Sequence, residues 1–331
     1  MKLFDCTLRD GANVVGNGFS AELTTLMLKG LIDNGITLIE MGNALGLGAY
    51  DAQNIIAPCT DAEYLQVVKN FLPQAEIGMF IGVKNAIPKY IDLAAENRLN
   101  FLRVGANAGD GKTTVDGIHY IRKRGINAHY SLMKAYILSP EELAEEAKML
   151  EGEGLDSITI MDSAGFMTPN DTGKYVSEMV KAVKIPVGFH SHNNLGLSMG
   201  NTLIAIEAGA EIIDCSLLGM ARSAGNLPTE IIVAYLQREN KLNEIDFYGL
   251  LKFLDNELIP AMKQYDYKPA IIPLELIYGL SGCHSSFEKL FTESAKANKV
   301  DLYRLIMEVS AIDKKAPSVE LINKVASIKN Q

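Results

Sequence analysis

The chain has 331 residues, of which 48% are hydrophobic and 21% charged, and its formal net charge is -9. This composition predicts a globular protein with a substantial core, and the negative charge argues against a nucleic-acid surface, which needs clustered Lys and Arg. No apolar run approaches the roughly 20 residues that span a bilayer, the first residues lack a signal peptide's apolar core, and the four cysteines have no paired spacing. We therefore expect a cytoplasmic protein with reduced thiols that binds neither nucleic acid nor membrane.

Short apolar runs alternate with amphipathic stretches over the first three quarters of the chain. The strand candidates are Leu3–Leu8, Leu38–Gly42, Ile77–Ile81, Phe101–Gly105, Ala128–Met133, Ser157–Asp162, Val187–His190 and Ile212–Ser216. Helical patterns lie between them, and capping-box spacing opens one at Thr60 and another at Ser139, where Pro140 takes the first helical position. Eight strand–helix units predict a (β/α)8 TIM barrel over residues 1–245. The alternative, an open doubly wound sheet, usually has fewer strands and a phosphate loop after the first.

After Asn240 the alternation of strands and helices stops. Helices are predicted at Phe247–Leu258, Ser286–Lys296, Leu302–Ser310 and Ser318–Ile328, separated by Pro260, Pro269, Pro273 and the Gly279–Gly282 region. Residues 246–331 are therefore predicted to form a small helical C-terminal domain that covers the barrel, contacts a partner, or both.

Two histidines at the end of the seventh predicted strand are the first sign of chemistry. Side chains at i and i+2 of a strand point to the same side, so His190 and His192 converge, and paired imidazoles suggest a divalent metal. The alternative is one hydrogen-bonded core histidine and one solvated histidine. Strands one, seven and eight are neighbours in a closed barrel, which brings Asp10 to the pair. One carboxylate and two imidazoles leave coordination sites open for a substrate, and this predicts Mg²⁺ or Mn²⁺, with Zn²⁺ as the alternative.

Three motifs, in this order, resemble the DRE-TIM metallolyases, a superfamily that includes HMG-CoA lyase, isopropylmalate synthase and 4-hydroxy-2-oxovalerate aldolase. They are Asp5-Cys6-Thr7-Leu8-Arg9-Asp10-Gly11, Gly188–Leu197 and Gly219–Glu230. Three further features resemble the 4-hydroxy-2-oxovalerate aldolases in particular: Met161-Asp162-Ser163, the spacing to Glu207-Ala208-Gly209, and Ser285-Ser286-Phe287. The resemblance covers the whole barrel and implies a lyase that cleaves a 4-hydroxy-2-oxo acid to pyruvate and an aldehyde through a metal-stabilised enolate.

The resemblance also implies which residues form the site. The metal ligands would be Asp10, His190, His192 and, as a fourth ligand or support, Asn226. His190 would also face the substrate, Arg9 would bind the substrate and stabilise the enolate as a fixed cation, and Ser163 would contact the substrate's carboxylate. Glu40 would orient these metal-binding and substrate-binding residues. The alternative is that Arg9 and Glu40 form only an ion pair at the barrel mouth.

The chain departs from the aldolase pattern at two positions. The aldolases carry a catalytic histidine three residues after the metal aspartate, where this chain has Asn13, and asparagine cannot act as a base near neutral pH. They also have a tyrosine just before Ser-Ser-Phe, where this chain has His284. We therefore predict that the catalytic base has moved to His284, against the alternative that His284 is a surface or structural residue.

Other signals support rival functions less well. The Gly105–Thr113 stretch fails the spacing of a P-loop, and a Schiff-base aldolase using Lys134 conflicts with the metal motifs. A Claisen-type acyltransferase or acyl-CoA lyase on the same scaffold, and a catalytically altered partner-binding homologue suggested by Asn13, stay open. Because the related aldolases pair with an aldehyde dehydrogenase through the C-terminal domain, the resemblance also implies such a partner, and we expect a homo-oligomer.

Overall fold

Eight parallel strands close into a barrel in chain order, so that the first strand pairs with both the second and the eighth. The computed structural model describes residues 1–329. The strands are β1 Lys2–Asp5, β2 Leu38–Met41, β3 Glu76–Gly82, β4 Phe101–Asn107, β5 Asn127–Met133, β6 Ser157–Asp162, β7 Val187–Ser191 and β8 Ile212–Cys215. The predicted (β/α)8 barrel is therefore confirmed.

Helices follow the strands and cover the outside of the barrel. They are α1 Ala21–Asp33, α2 Ala49–Ala52, α3 Asp61–Val68, α4 Pro88–Glu96, α5 Val115–Lys123, α6 Pro140–Gly152, α7 Pro169–Ala182, α8 Ser198–Glu207 and α9 Thr229–Arg238. Capping boxes at Thr60 and Ser139 open α3 and α6 as predicted, because each side chain accepts a backbone N–H of the first turn. None of the helices within residues 1–329 has the length and apolar character needed to cross a bilayer.

The first strand is shorter than the predicted Leu3–Leu8, because the chain turns immediately after Asp5. The Asp5 carboxylate accepts the N–H of Thr7 at 2.9 Å, and the N–H of Asp10 donates to the carbonyl oxygen of Cys6 at 2.8 Å. An aspartate that bonds the backbone two residues ahead favours a turn over a continuing strand. The prediction was wrong here, and the consequence is functional: Asp10 projects from a tight turn at the barrel mouth.

Helices continue to the end of the described chain. They are α10 Phe247–Phe253, which runs through a π-helical segment (Leu254–Leu258) into α11 Ile259–Met262, then α12 Pro273–Ser281, α13 Glu288–Asn298, α14 Leu302–Ile312 and α15 Val319–Lys329. The region around Pro273 was predicted to separate helices and instead forms α12, so that prediction was wrong. Pro273 lies at the first position of the helix and Gly282, with φ +69°, ends it. Proline at the start and glycine at the end of a helix are favourable boundary residues.

The C-terminal helices pack closely against the barrel. The ring of Phe253 lies against Gly30 of α1, where an added Cβ would come within 2.3 Å of it. The Tyr267 hydroxyl donates to the carbonyl oxygen of Leu218 at 2.8 Å, in the loop that follows β8. One continuous cluster of buried apolar side chains includes residues of the barrel and of these helices. The boundary at residue 245 stays a prediction.

Candidate active site

Asp10, His190 and His192 converge at the carboxyl ends of the strands. The Nε2 atoms of the two histidines lie 3.4 Å apart, and they lie 3.5 and 3.6 Å from Oδ2 of Asp10. The three side chains are at most 5% exposed. Two imidazole nitrogens and a carboxylate oxygen at this spacing are able to share one divalent ion, whose ligand atoms sit about 2.0–2.2 Å from the metal. The structure thus brings together the residues that the sequence pattern grouped.

Strand register explains this convergence. β1 and β7 flank β8, and Leu3 of β1 and Phe189 of β7 both pair with Ile213. The two flanking strands therefore end at a similar height, where β7 ends one residue after His190 and the turn after β1 begins. His192 lies one alternation beyond His190 and faces the same point.

Two asparagines hold the Asp10 carboxylate. Asn226 Nδ2 donates to Oδ2 of Asp10 at 3.0 Å, and Asn13 Nδ2 donates to the carbonyl oxygen of Asp10 at 2.8 Å and to its Oδ1 at 3.3 Å. The Oδ1 atom of Asn226 is buried and has no hydrogen-bond partner among the described residues. A buried acceptor without a partner is unusual, and beside three potential metal ligands it fits a cation.

Arg9 is fixed between two carboxylates. Its Nε donates to Oε2 of Glu40 at 2.6 Å, and its Nη1 lies 3.2 Å from Oδ1 of Asp10. Although burial opposes ionisation of Asp10, the Arg9 guanidinium and a hydrogen bond from His190 hold the pKa of Asp10 well below its ordinary value. Buried Nη2 of Arg9 has no partner among the described residues. Arg9 therefore keeps one buried donor free.

Sequence reasoning missed a second half of this network, formed by Arg103 and Asp214. Arg103 is fully buried, donates to both Glu40 oxygens at 2.7 and 2.8 Å, and donates to Oδ2 of Asp214 at 2.6 Å. The same Asp214 oxygen lies 2.9 Å from Nδ1 of His190. A carboxylate at the far nitrogen of a histidine fixes the ring and directs its other nitrogen toward a metal. The sequence signal for these two residues is a charged residue inside an apolar strand, because a buried charge needs a partner.

The two histidines have opposite electrostatic environments. Burial, followed by the neighbouring His190, lowers the pKa of His192 to about 4, so its imidazole is neutral near pH 7. For His190, burial acts in the same direction, but hydrogen bonds to Asp10 and Asp214 outweigh it and raise the pKa. Carboxylates that favour a proton at His190 also favour a metal cation there.

A cavity of about 330 Å³ opens above these residues. It is lined by Arg9, Asp10, Ala44, Leu45, Gln53, Phe80, Asn107, Met133, Lys134, Met161, Ser163, His190, His192 and Arg222. The predicted substrate residue Ser163 lies on this wall, and its Oγ accepts the N–H of Lys134 at 2.9 Å. The structure does not bring His284 here, because its exposed ring is outside the lining and accepts the N–H of Ser286 at 3.1 Å.

A second cavity, of about 850 Å³, is lined by the loop that follows β8. Asn13 and Asn226 line it, as do Tyr267 and Lys268 of the C-terminal region. Arg222 is the residue that the linings of both cavities share. Asp10, His190 and His192 thus line the smaller cavity, whereas the two asparagines that bond Asp10 line the larger one.

Comparison with known proteins identifies the family of the chain and supports its fold. A family model described as HMGL-like matches residues 1–256. The chain is 32% identical over 327 residues to a 4-hydroxy-2-oxovalerate aldolase from Carboxydothermus hydrogenoformans, covering 98% of this chain and 96% of the relative. It is 33% identical to another from Pectobacterium atrosepticum, covering 90% and 87%. The solved hydroxymethylglutaryl-CoA lyase from Pseudomonas aeruginosa superposes with a TM-score of 0.66 at 15% identity over 82% of this chain and 94% of that one, which supports the fold.

Proposed function

Because the chain belongs to the HMGL-like family, we propose that it is a divalent-metal-dependent aldolase that cleaves a 4-hydroxy-2-oxo acid to pyruvate and an aldehyde. The relatives named as 4-hydroxy-2-oxovalerate aldolases support this reaction class. The observation that carries the proposal is the buried triangle of donor atoms from Asp10, His190 and His192.

Those three residues would hold the ion, with Oδ1 of Asn226 as a fourth ligand. Two carboxylate or amide oxygens beside two imidazoles suit Mn²⁺ or Mg²⁺, and Zn²⁺ is the alternative. When bound, the ion supplies a Lewis acid that polarises the keto group of the substrate. His190 also lines the cavity and would contact the substrate directly.

Arg9 and Ser163 would bind the reacting half of the substrate. The unpartnered Nη2 of Arg9 is a donor for the oxygen on which negative charge develops, and Glu40 keeps the guanidinium in place. The Ser163 hydroxyl accepts a backbone N–H, so its own hydrogen is free to donate to the substrate's carboxylate.

The proposed reaction breaks the bond between C3 and C4. Loss of the proton on the 4-hydroxyl forms the aldehyde, the bonding electrons pass to C3 and form the pyruvate enolate, and a proton added at C3 completes pyruvate. The residue that takes the hydroxyl proton stays a prediction. Asn13 is unable to take it, and His284 lies outside the cavity lining.

Metal removal tests the proposal. We expect pyruvate release from 4-hydroxy-2-oxopentanoate to vanish after EDTA treatment and to return when Mn²⁺ is added. Release that persists in EDTA, together with borohydride trapping of pyruvate on Lys134, would overturn the metal mechanism. Metal binding without turnover of any hydroxy-oxo acid would favour a partner-binding homologue, and turnover only of acyl-CoA substrates would favour the acyltransferase. The aldehyde dehydrogenase partner and the homo-oligomer remain proposals.

A further inference from the structure

Two cations on the wall of the 330 Å³ cavity lack a counter-charge of their own. The Lys134 ammonium makes no ion pair or hydrogen bond within residues 1–329. The Arg222 guanidinium is half exposed, and its Nε approaches only Oδ1 of Asp10, at 3.8 Å. Among the described residues that line this cavity, Asp10 is the only one with a carboxylate. It already faces Arg9 and the proposed metal position. In a chain of net charge -9, this pair of cations indicates an anionic ligand.

Lys134 lies beside the residue proposed to bind the carboxylate of the 2-oxo acid. Its backbone N–H donates to Oγ of Ser163, and its φ of +53° is left-handed, which is uncommon for a residue other than glycine. Such a conformation persists only where its surroundings hold it, and functional sites are where it clusters. Because Lys134 and Ser163 line the same cavity, the Lys134 ammonium is within the space where Ser163 would bind the carboxylate.

Arg222 follows β8, whereas Lys134 follows β5, three strands away around the barrel. Close contact with Asp10 places Arg222 on the side of the metal donors that is lined by Asn13 and Asn226. Because Arg222 lines both cavities, a group bound to it has room to extend beyond the small cavity. One anionic end of a substrate thus fits at Lys134, and the other end lies toward Arg222.

We infer that the substrate carries a second acidic group, a carboxylate or a phosphate, on the half that leaves as the aldehyde, and that Arg222 binds this group. The inference rests on the aldolase function proposed above. A guanidinium presents paired N–H donors that match either anion. The product other than pyruvate is then an aldehyde that bears an acid.

Matched substrates test the inference on the Mn²⁺-loaded protein. 4-Hydroxy-2-oxoglutarate and 4-hydroxy-2-oxopentanoate have the same number of carbons and differ in one carboxylate, and condensation of pyruvate with glycolaldehyde phosphate provides the phosphate arm. We expect kcat/KM for the acidic substrates to exceed that for the neutral one by roughly tenfold or more, as a charge-assisted contact predicts. R222Q should bring the ratio close to one, whereas R238Q, the same change at an exposed position of α9, should leave it intact.

Calorimetry with 2-oxoglutarate and 2-oxopentanoate separates this inference from the proposed function. Turnover without a preference for the acidic substrate, or a preference that R222Q leaves unchanged, would overturn the inference and leave the aldolase standing. Tighter binding of 2-oxoglutarate that R222Q abolishes, in a protein that cleaves neither substrate, would support acid recognition and overturn the aldolase. Equal binding of both acids without turnover would overturn both.

Discussion

His190 Nδ1 lies 2.9 Å from Oδ2 of Asp214, a residue that does not reach the substrate cavity. The same oxygen accepts a hydrogen bond from Nη1 of Arg103. The other guanidinium nitrogens of Arg103 donate to Glu40, and Glu40 in turn accepts a hydrogen bond from Arg9. A single buried chain of charges therefore joins His190, a proposed metal ligand, to Arg9, the cation proposed to stabilise the enolate. Residues at its centre should act on both.

D214N should weaken metal binding. In this variant an amide replaces the carboxylate that pairs with His190 Nδ1. Loss of such a partner typically costs roughly 10–100-fold in metal affinity or activity. Calorimetric titration of the apoprotein with Mn²⁺ measures the change in metal affinity. D33N, at an exposed position at the end of α1, is the control, and wild-type affinity in D214N would contradict the assigned role.

R103Q should destabilise the fold. It leaves the fully buried carboxylates of Glu40 and Asp214 with one cation fewer, and breaking a buried ion pair from one side costs about 3–5 kcal/mol. Urea unfolding followed by circular dichroism gives the free energy of unfolding. A change below about 1 kcal/mol, the usual range for an exposed pair, would show that the network contributes little.

R9Q should lower kcat and preserve metal affinity. Arg9 contacts Asp10 through Nη1 but keeps Nη2 unpartnered, so its proposed contribution arises when negative charge develops on the substrate. Removal of one such donor typically costs about 100–1,000-fold in kcat. Steady-state kinetics at saturating Mn²⁺ measure this loss. A rise in KM alone, with kcat unchanged, would instead indicate a role limited to substrate binding.

The contribution of Glu230 to the stability of the protein should fall as pH rises toward 7. Burial raises the pKa of Glu230 to about 7 from 4.5, against opposing hydrogen bonds from its own N–H and that of Leu218. The folded state then binds more protons than the unfolded state between about pH 4.5 and 7, so this contribution is complete below that window and is lost across it. E230Q should remove this contribution, so the urea midpoint of E230Q relative to that of wild type should rise with pH over this range. An equal slope in both proteins would refute the assignment.

The H284Q variant tests whether His284 is the catalytic base, as the sequence pattern predicts, or a surface residue, as the structure indicates. His284 is exposed and bonded within its own turn, so the structure predicts kcat within about twofold of wild type, as for surface positions. A relocated general base would instead cost about 100-fold or more and would remove one limb of the pH–rate profile. The pH profile of kcat for both proteins distinguishes the two results.

The parts of the site that follow local rules were predictable from sequence. His190 and His192 follow from strand alternation, and closure of the barrel supplies Asp10. Asp214 and Arg103 were not predictable in the same way, because their partners lie 24 to 111 residues away and depend on which side chains face the barrel interior. The helix at Pro273–Ser281 was not predicted, because Pro273 was interpreted as a separator of helices although proline is also favourable at the first helical position.

The most direct test of the account is the stoichiometry of Mn²⁺ binding measured together with pyruvate release. Wild-type protein should bind one ion per chain, with release rising in proportion to occupancy, and D10N and H192Q should lose both together, since the two side chains share one site. Full pyruvate release from metal-free protein, or wild-type Mn²⁺ binding in both variants, would contradict the metal centre proposed at Asp10, His190 and His192.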